Sequence, residues 1–447
     1  MTSTAPADAD DMPRSFGDSA PPTRLADSRV WWVLAGVAVA VLVAVMIVVA
    51  QSASAPRTPW DENGVLILAR VLAGEDDVPL MLTRGYYPAA SFLVAPVYWF
   101  TQDPMTVYGW ANFLTNVAGV ATLLPLIGIA RRVGLNLPQA ITASALALSL
   151  PGYTGLADYV LAEQLLGFFI VLSIYTMMRY WAAPTLWRSA AFVGSLLGAL
   201  FTHPRALVGV VVATVWLAGL LLAPARRRSA AITLAILLPA AYVTREVAEY
   251  LAALVLVDDF SQGNALGRSL SDPDVLLMIK IAFSHTWAQL VGTLGILAFG
   301  AIVVVTWAYK EIVRSRMFGP GVFILGLTLA GSLLSFINWS SLSVHHYNDE
   351  PRLDSWLYTR YISPYVLVAI LIAIAALLRR LSLPMMTAAI VASGVVIAGM
   401  LLFFADTIPT WGSTYGPGNI AALRGWDFLW PTQPHPIPLR PTLTSAN

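Results

Sequence analysis

An all-α, polytopic membrane fold follows from three properties of this sequence. Mean hydropathy is +0.70, with 57% hydrophobic and only 11% charged residues, about half the roughly 25% charge of a soluble domain. The apolar residues gather in runs near the ~20 residues that cross ~30 Å of hydrocarbon. Basic residues recur in clusters between alternate runs, as they do at cytoplasmic helix ends. Together these predict about eleven transmembrane helices, with an interfacial helix in the first outer loop.

Composition also excludes function classes. A net charge of +1 supplies no basic face for nucleic acid. The absence of cysteine removes disulfides, thiolate metal sites and cysteine nucleophiles.

Residues 1–30 are rich in Asp, Pro, Ser and Ala and lack apolar clustering. They are expected to form a disordered cytoplasmic arm. Acidic residues outnumber basic ones before the first apolar run, which reads as a retained span and not a cleaved signal. The transmembrane domain runs over 31–405. Its spans are expected at 31–50, 105–130, 138–152, 161–180, 189–203, 206–223, 230–249, 286–309, 320–338, 362–378 and 385–405. Residues 89–100 are apolar but too short to span, so a re-entrant or interfacial helix is expected there. Residues 406–447 form a Pro-rich extracytoplasmic tail.

Charge sets the expected orientation. Basic clusters fall at Arg131-Arg132, Arg179 with Arg188, Arg226-Arg227-Arg228, Lys310 with Arg314 and Arg316, and Arg379-Arg380. With the N-terminus inside, all of them lie on the cytoplasmic side of a multi-pass plasma-membrane protein. The opposite face collects the 51–104 loop, most acidic residues and all five histidines.

Within that loop, Asp61 and Glu62 directly precede an amphipathic stretch, with Val65, Leu66, Leu68, Ala69 and Leu72 at helical spacing. A carboxylate against apolar surface gains basicity, as a general base requires. Solvated acids at the N-terminus of an interfacial helix are the competing reading. Arg84-Gly85-Tyr86-Tyr87-Pro88 sets a cation and two rings before an apolar stretch. Such an arginine either grips a lipid phosphate bidentately or snorkels.

Further along, Asp158 and Glu163 flank the start of a span, with Glu163 either inside the apolar boundary, where an ionisable group is functional or paired, or an acid favoured at a helix N-terminus. His203 and Arg205 sit at a short turn between apolar runs and face either a polar cavity or a packed hairpin. Arg360-Tyr361 opens a late span from the outer side, as a phosphate-binding cation beside a ring or as an anchor. His345-His346 is a weak metal signal, because adjacent side chains point apart. No internal repeat, Walker A sequence, Gly-rich dinucleotide turn or HExxH motif occurs.

The order of these features resembles the GT-C superfamily of membrane glycosyltransferases. It comprises an Asp-Glu pair after the first span, an Arg/Tyr-Pro turn, an Arg-Arg cytoplasmic turn, an acid opening a later span, a Pro-Arg turn and a late outer Arg-Tyr. Members include protein O-mannosyltransferases, aminoarabinose transferases and actinobacterial mannosyl- and arabinosyltransferases. The resemblance covers about 31–405, and the segment beyond is short beside the C-terminal domains of larger members.

The resemblance implies an inverting transfer from a polyprenyl-phosphate sugar donor to an extracytoplasmic hydroxyl on a glycan, lipid or protein. It implies Asp61 as base with Glu62 its neighbour. It implies Arg360, Tyr361 and Arg84 at the donor phosphate, and Asp158 or Glu163 as the second acidic element. Tyr86, Tyr87, His203 and Arg205 are further substrate-binding candidates. No cofactor or metal ligand set is assigned, and a divalent metal stays open. The competing functions are a transporter or flippase of a lipid-linked sugar, which needs ionisable groups in mid-span, and a non-catalytic subunit of an envelope-assembly complex.

Overall fold

The structure is a computed structural model, and it describes residues 29–51, 55–80, 87–256, 274–347, 350–379, 382–404 and 420–422. Most of the N-terminal arm and of the tail after 405, together with Arg84 and Tyr86, lie outside the described residues. Among the described residues, eight helices are long and apolar enough to cross a membrane, and several shorter apolar helices accompany them. The all-α class holds. The one strand pairing described is a two-residue hairpin, His346 opposite Pro351.

In chain order the first elements are α1 (Arg29–Ala50), α2 (Pro59–Leu72), α3 (Ala89–Val94), α4 (Pro104–Ala121), α5 (Leu123–Arg132), α6 (Leu137–Leu148) and α7 (Pro151–Thr154). Then come α8 (Glu163–Ala182), α9 (Leu186–Thr202), α10 (Leu207–Leu220), α11 (Pro224–Ala253), α12 (Val275–Gly292) and α13 (Ile296–Val313). The last are α14 (Pro320–Asn338), α15 (Leu353–Trp356), α16 (Ser363–Leu378) and α17 (Leu383–Gly399).

The organising element is α16. Every residue from Ser363 to Ala376 is buried, and a helix apolar on all sides belongs inside a bundle. It packs against α6, α8, α13 and α14. Arg360 and Tyr361 precede its N-cap, Ile362, so this buried helix fixes the position of those two residues.

Two expectations are corrected. The span expected at 286–309 is two helices, because Leu294 (φ 51°) and Gly295 (φ 76°) adopt left-handed backbone that no α-helix continues. Hydropathy runs unbroken through this turn and so hides it. The stretch after Asp61-Glu62 also differs. The helix begins at Pro59 and contains both acids in its first turn. Its Val65, Leu68 and Ala69 are fully buried, and Val65 and Ala69 pack with Ala90, Val94, Tyr108 and Val160. The apolar face therefore meets protein and not the bilayer interface. As expected, residues 89–99 form only a short helix and a 3-10 turn.

Helix polarity sorts the charges. Arg179 lies in the last turn of α8, whose first residue is Glu163. Arg188 lies in the first turn of α9, whose C-cap is His203. Arg379 caps the C-terminal end of α16, and its Nη1 donates to Val133 O beside the Arg131-Arg132 turn at 2.8 Å. These basic residues thus sit at the helix ends remote from Glu163, His203 and Arg360.

Candidate active site

Glu62 fixes the start of α2. Its Oε1 accepts from the backbone N–H of Arg57 (2.7 Å) and Thr58 (2.8 Å) and from Thr58 Oγ1 (3.3 Å). Its Oε2 accepts from Tyr108 Oη on α4 (2.6 Å) and from Val160 N–H (2.9 Å). The side chain thus returns to the helix N-terminus, satisfies donors left orphaned there and clamps α2 to α4 and to the 155–162 segment. Glu62 is 0% exposed.

One residue earlier, about 100° around the helix, Asp61 points elsewhere. Its Oδ2 accepts from Arg360 Nη1 at 2.7 Å. Arg360 Nε donates to Glu163 Oε1 at 2.5 Å, and Arg205 Nη2 donates to that same oxygen at 2.9 Å. Glu163, first residue of α8, therefore holds two guanidiniums. Arg205 also lies over the Tyr361 ring, 3.8 Å from its centroid, a cation–π geometry. Arg205 Nη1 and Glu163 Oε2 are buried without hydrogen-bond partners.

His203 accepts the backbone N–H of Arg205 at Nδ1 (3.2 Å), and Tyr365 Oη donates to Arg205 O at 2.9 Å. Burial, with the Arg205 and Arg360 charges beside it, holds the His203 imidazole well below its ordinary pKa. It is neutral and serves as an acceptor. Asp158 pairs with Arg57 at 2.8 Å.

Of the carboxylates in these ion pairs, Asp61 has the most accessible side chain, at 16% against 7% for Asp158 and 1% for Glu163. Asp61, Asp158 and Glu163 face Arg57, Arg205 and Arg360, three acids against three guanidiniums, while the fourth acid, Glu62, is held by hydrogen-bond donors. Such a set can hold an anion at its guanidiniums and accept a proton at its most exposed carboxylate.

Most of the expected residues meet here: Asp61 and Glu62 on α2, Asp158 and Glu163 before and on α8, His203 and Arg205 at the α9–α10 turn, and Arg360 and Tyr361 before α16. Tyr87 is directed elsewhere. Its hydroxyl donates to Glu249 on α11 at 3.1 Å, and burial next to that carboxylate raises its pKa.

Sequence reasoning missed Arg57, Tyr108 and a set of backbone clamps. Asn112 and Asn116 on α4 both donate to Ala157 O (3.0 and 2.8 Å). On α12, Ser284, His285 and Gln289 bond the carbonyls of Trp356, Ser355 and Thr359 at 2.6–2.9 Å. The i, i+4 spacing of Tyr108, Asn112 and Asn116 was a usable signal, because a polar stripe on an apolar helix needs partners.

The chain shares the fold of a solved oligosaccharyltransferase. The oligosaccharyltransferase of Archaeoglobus fulgidus, in a complex with Zn and sulfate, matches at TM-score 0.51 and 12% identity, over 88% of this chain and 53% of that one. Its apo form matches at TM-score 0.50 and 12% identity, over 92% and 59%. ArnT from Cupriavidus metallidurans, bound to undecaprenyl phosphate, matches at TM-score 0.47 and 14% identity, over 86% and 68%. The chain spans little more than half the length of the oligosaccharyltransferase. No family model and no curated protein matches the sequence.

Proposed function

We propose that this chain is an inverting membrane glycosyltransferase that moves a sugar from a polyprenyl-phosphate donor to an acceptor hydroxyl. The observation that carries the reading is the convergence of Asp61, Glu163, Arg205 and Arg360 at the end of α16, by hydrogen bonds of 2.5–2.9 Å. The shared fold supports it, as does the order of sequence motifs.

In this reading Asp61 takes the proton of the acceptor hydroxyl while that oxygen bonds the anomeric carbon. The bond from that carbon to the phosphate oxygen breaks, and the electron pair leaves with the phosphate. Attack opposite the leaving group inverts the centre. Arg205, through its open Nη1, and Arg360 hold the charge that grows on the leaving oxygen. Glu163 and Tyr361 aim the two guanidiniums. Glu62 is a positioning residue, because protein donors already occupy both its oxygens, and His203 holds the Arg205 backbone. Arg57 and Asp158 line the same cluster, Arg84 belongs to the donor phosphate by motif, and Tyr86 is a substrate-binding candidate.

The site faces the extracytoplasmic side and the basic clusters the cytoplasm, with the N-terminus inside and the C-terminus outside. The 31–405 segment is the catalytic domain, flanked by a cytoplasmic arm and an extracytoplasmic tail. The acceptor is a hydroxyl of a glycan, lipid or protein. Buried ion pairs lie at helix ends and not at mid-span, which favours an enzyme over a flippase.

The test incubates membranes carrying wild type or Asp61→Asn with a panel of radiolabelled polyprenyl-phosphate sugars. Transfer by wild type that is lost in the variant is expected. Undiminished transfer by Asp61→Asn would remove the base, and no transfer from any donor by wild type would remove the donor class.

A further inference from the structure

A structure of the A. fulgidus oligosaccharyltransferase contains Zn, which raises the question of whether the acids of the present cluster can ligate a cation. The donor set does not fit. Asp61 Oδ2 and Glu163 Oε1 accept from Nη1 and Nε of one guanidinium, that of Arg360. Those nitrogens belong to a single rigid planar fork, so the space between the two carboxylates is filled by a fixed positive charge. Glu163 Oε1 carries the second guanidinium, Arg205. Asp158 is held by Arg57. The oxygens of Glu62 receive five hydrogen bonds.

A divalent ion takes about six oxygen ligands at roughly 2.0–2.6 Å. Here it would have to displace a guanidinium or lie in contact with one. Among the described residues no group of three His, Asp or Glu side chains is arranged to hold a metal ion. On Arg205 and Glu163, the buried atoms without a hydrogen-bond partner are one guanidinium nitrogen and one carboxylate oxygen, Nη1 and Oε2. A donor beside an acceptor suits a ligand with both a phosphate oxygen and a hydroxyl, not a bare cation.

We infer that this site needs no divalent metal, and that the guanidiniums of Arg360, Arg205 and Arg57 supply the positive charge a carboxylate-bound cation would otherwise bring. The inference rests on the glycosyltransferase reading for its chemical meaning, but its main test does not require turnover.

Purified full-length protein is assayed for bound metal by mass spectrometry, and its thermal unfolding is followed in EDTA and with added Mn²⁺, Zn²⁺ or Mg²⁺. Wild type is expected to hold only substoichiometric metal and to show no Tm shift in either direction. Arg360→Gln, which removes the guanidinium between Asp61 and Glu163 and leaves only Arg205 on Glu163, is expected to gain a Tm increase with Mn²⁺. Arg360→Lys keeps the charge and is expected to remain indifferent to it.

A stoichiometric ion in wild type that disappears in Asp61→Asn or Glu163→Gln would overturn the inference. So would a fall in Tm or transfer with EDTA that Mn²⁺ restores. A folded Arg360→Gln with no response to Mn²⁺ would overturn the claim that the guanidinium occupies a cation's place. If that variant does not fold, the wild-type and Arg360→Lys arms decide. A wild type that transfers no sugar overturns the activity proposal and leaves the metal result readable.

Discussion

Arg360 donates from Nη1 to Asp61 Oδ2 at 2.7 Å, across 299 residues of chain. This bond joins the first turn of α2 to the residues that lead into α16. It ties the outer loop to the core of the fold through a buried guanidinium, itself 3% exposed. Whatever moves α2 therefore moves the cation.

Asp61→Asn is expected to lower sugar transfer about 10²–10⁴-fold, the span ascribed to a general base, with little change in Tm. The amide keeps the volume and one acceptor for Arg360. Radiolabel transfer and a thermal melt on the same membranes check both halves.

Glu62→Gln is expected to act in the other direction. Its new amide N–H₂ must face a donor at one end, either the Val160 N–H or the N–H groups of Arg57 and Thr58. A buried donor left unsatisfied costs about 1–3 kcal/mol. Thermal stability should fall clearly, while turnover below the melting range should fall far less than in Asp61→Asn. Equal loss of turnover in both variants with unchanged Tm would place Glu62 in the chemistry.

Arg205→Ala removes the open Nη1, the contact with Glu163 and the stacking on Tyr361. A hydrogen bond to a charged group such as the donor phosphate is worth about 1.5–3 kcal/mol, so donor KM is expected to rise at least ~10-fold. Tyr361→Phe keeps the ring face and should behave like wild type, whereas Tyr361→Leu should share the Arg205 defect. Steady-state kinetics with donor varied separates these outcomes.

His203 supplies a pH dependence whose sign is fixed. Its folded-state pKa lies well below the ordinary 6.5, so below that pH the unfolded chain binds the proton more readily than the native one. Stability is therefore full above 6.5 and is lost as pH falls from there toward the folded-state pKa. His203→Asn retains a side-chain acceptor for the Arg205 N–H but cannot titrate. Its Tm profile between pH 7 and pH 5 should be flatter than that of wild type.

Much of this site is legible in the amino-acid sequence. Charged and aromatic residues at the ends of apolar runs are conspicuous, and Asp61, Glu163, Arg205 and Arg360 all stand out in that way. The division of labour between Asp61 and Glu62 is not legible. Neighbouring acids look alike in a sequence, and their roles separate only when a helix turns one toward Arg360 and the other toward Tyr108. Arg57 escapes notice because an arginine just outside a helix is the commonest kind of surface charge until Asp158 is found beside it. The α12 clamp is hidden because the acceptors of Ser284, His285 and Gln289 are backbone carbonyls, which every residue has.

The sequence by itself determined the membrane class, most of the helices and the sorting of basic clusters to one set of helix ends. Hydropathy and charge act over a single span and need no partner to be read. Only the tertiary structure decided which acid meets which arginine, that α12 and α13 are separate helices, and that the apolar face of α2 is buried in protein. Ion pairs between residues separated by 197 or 299 positions exist only because α16 is wrapped on all sides. Packing of that kind is a property of the assembled bundle and of no segment within it.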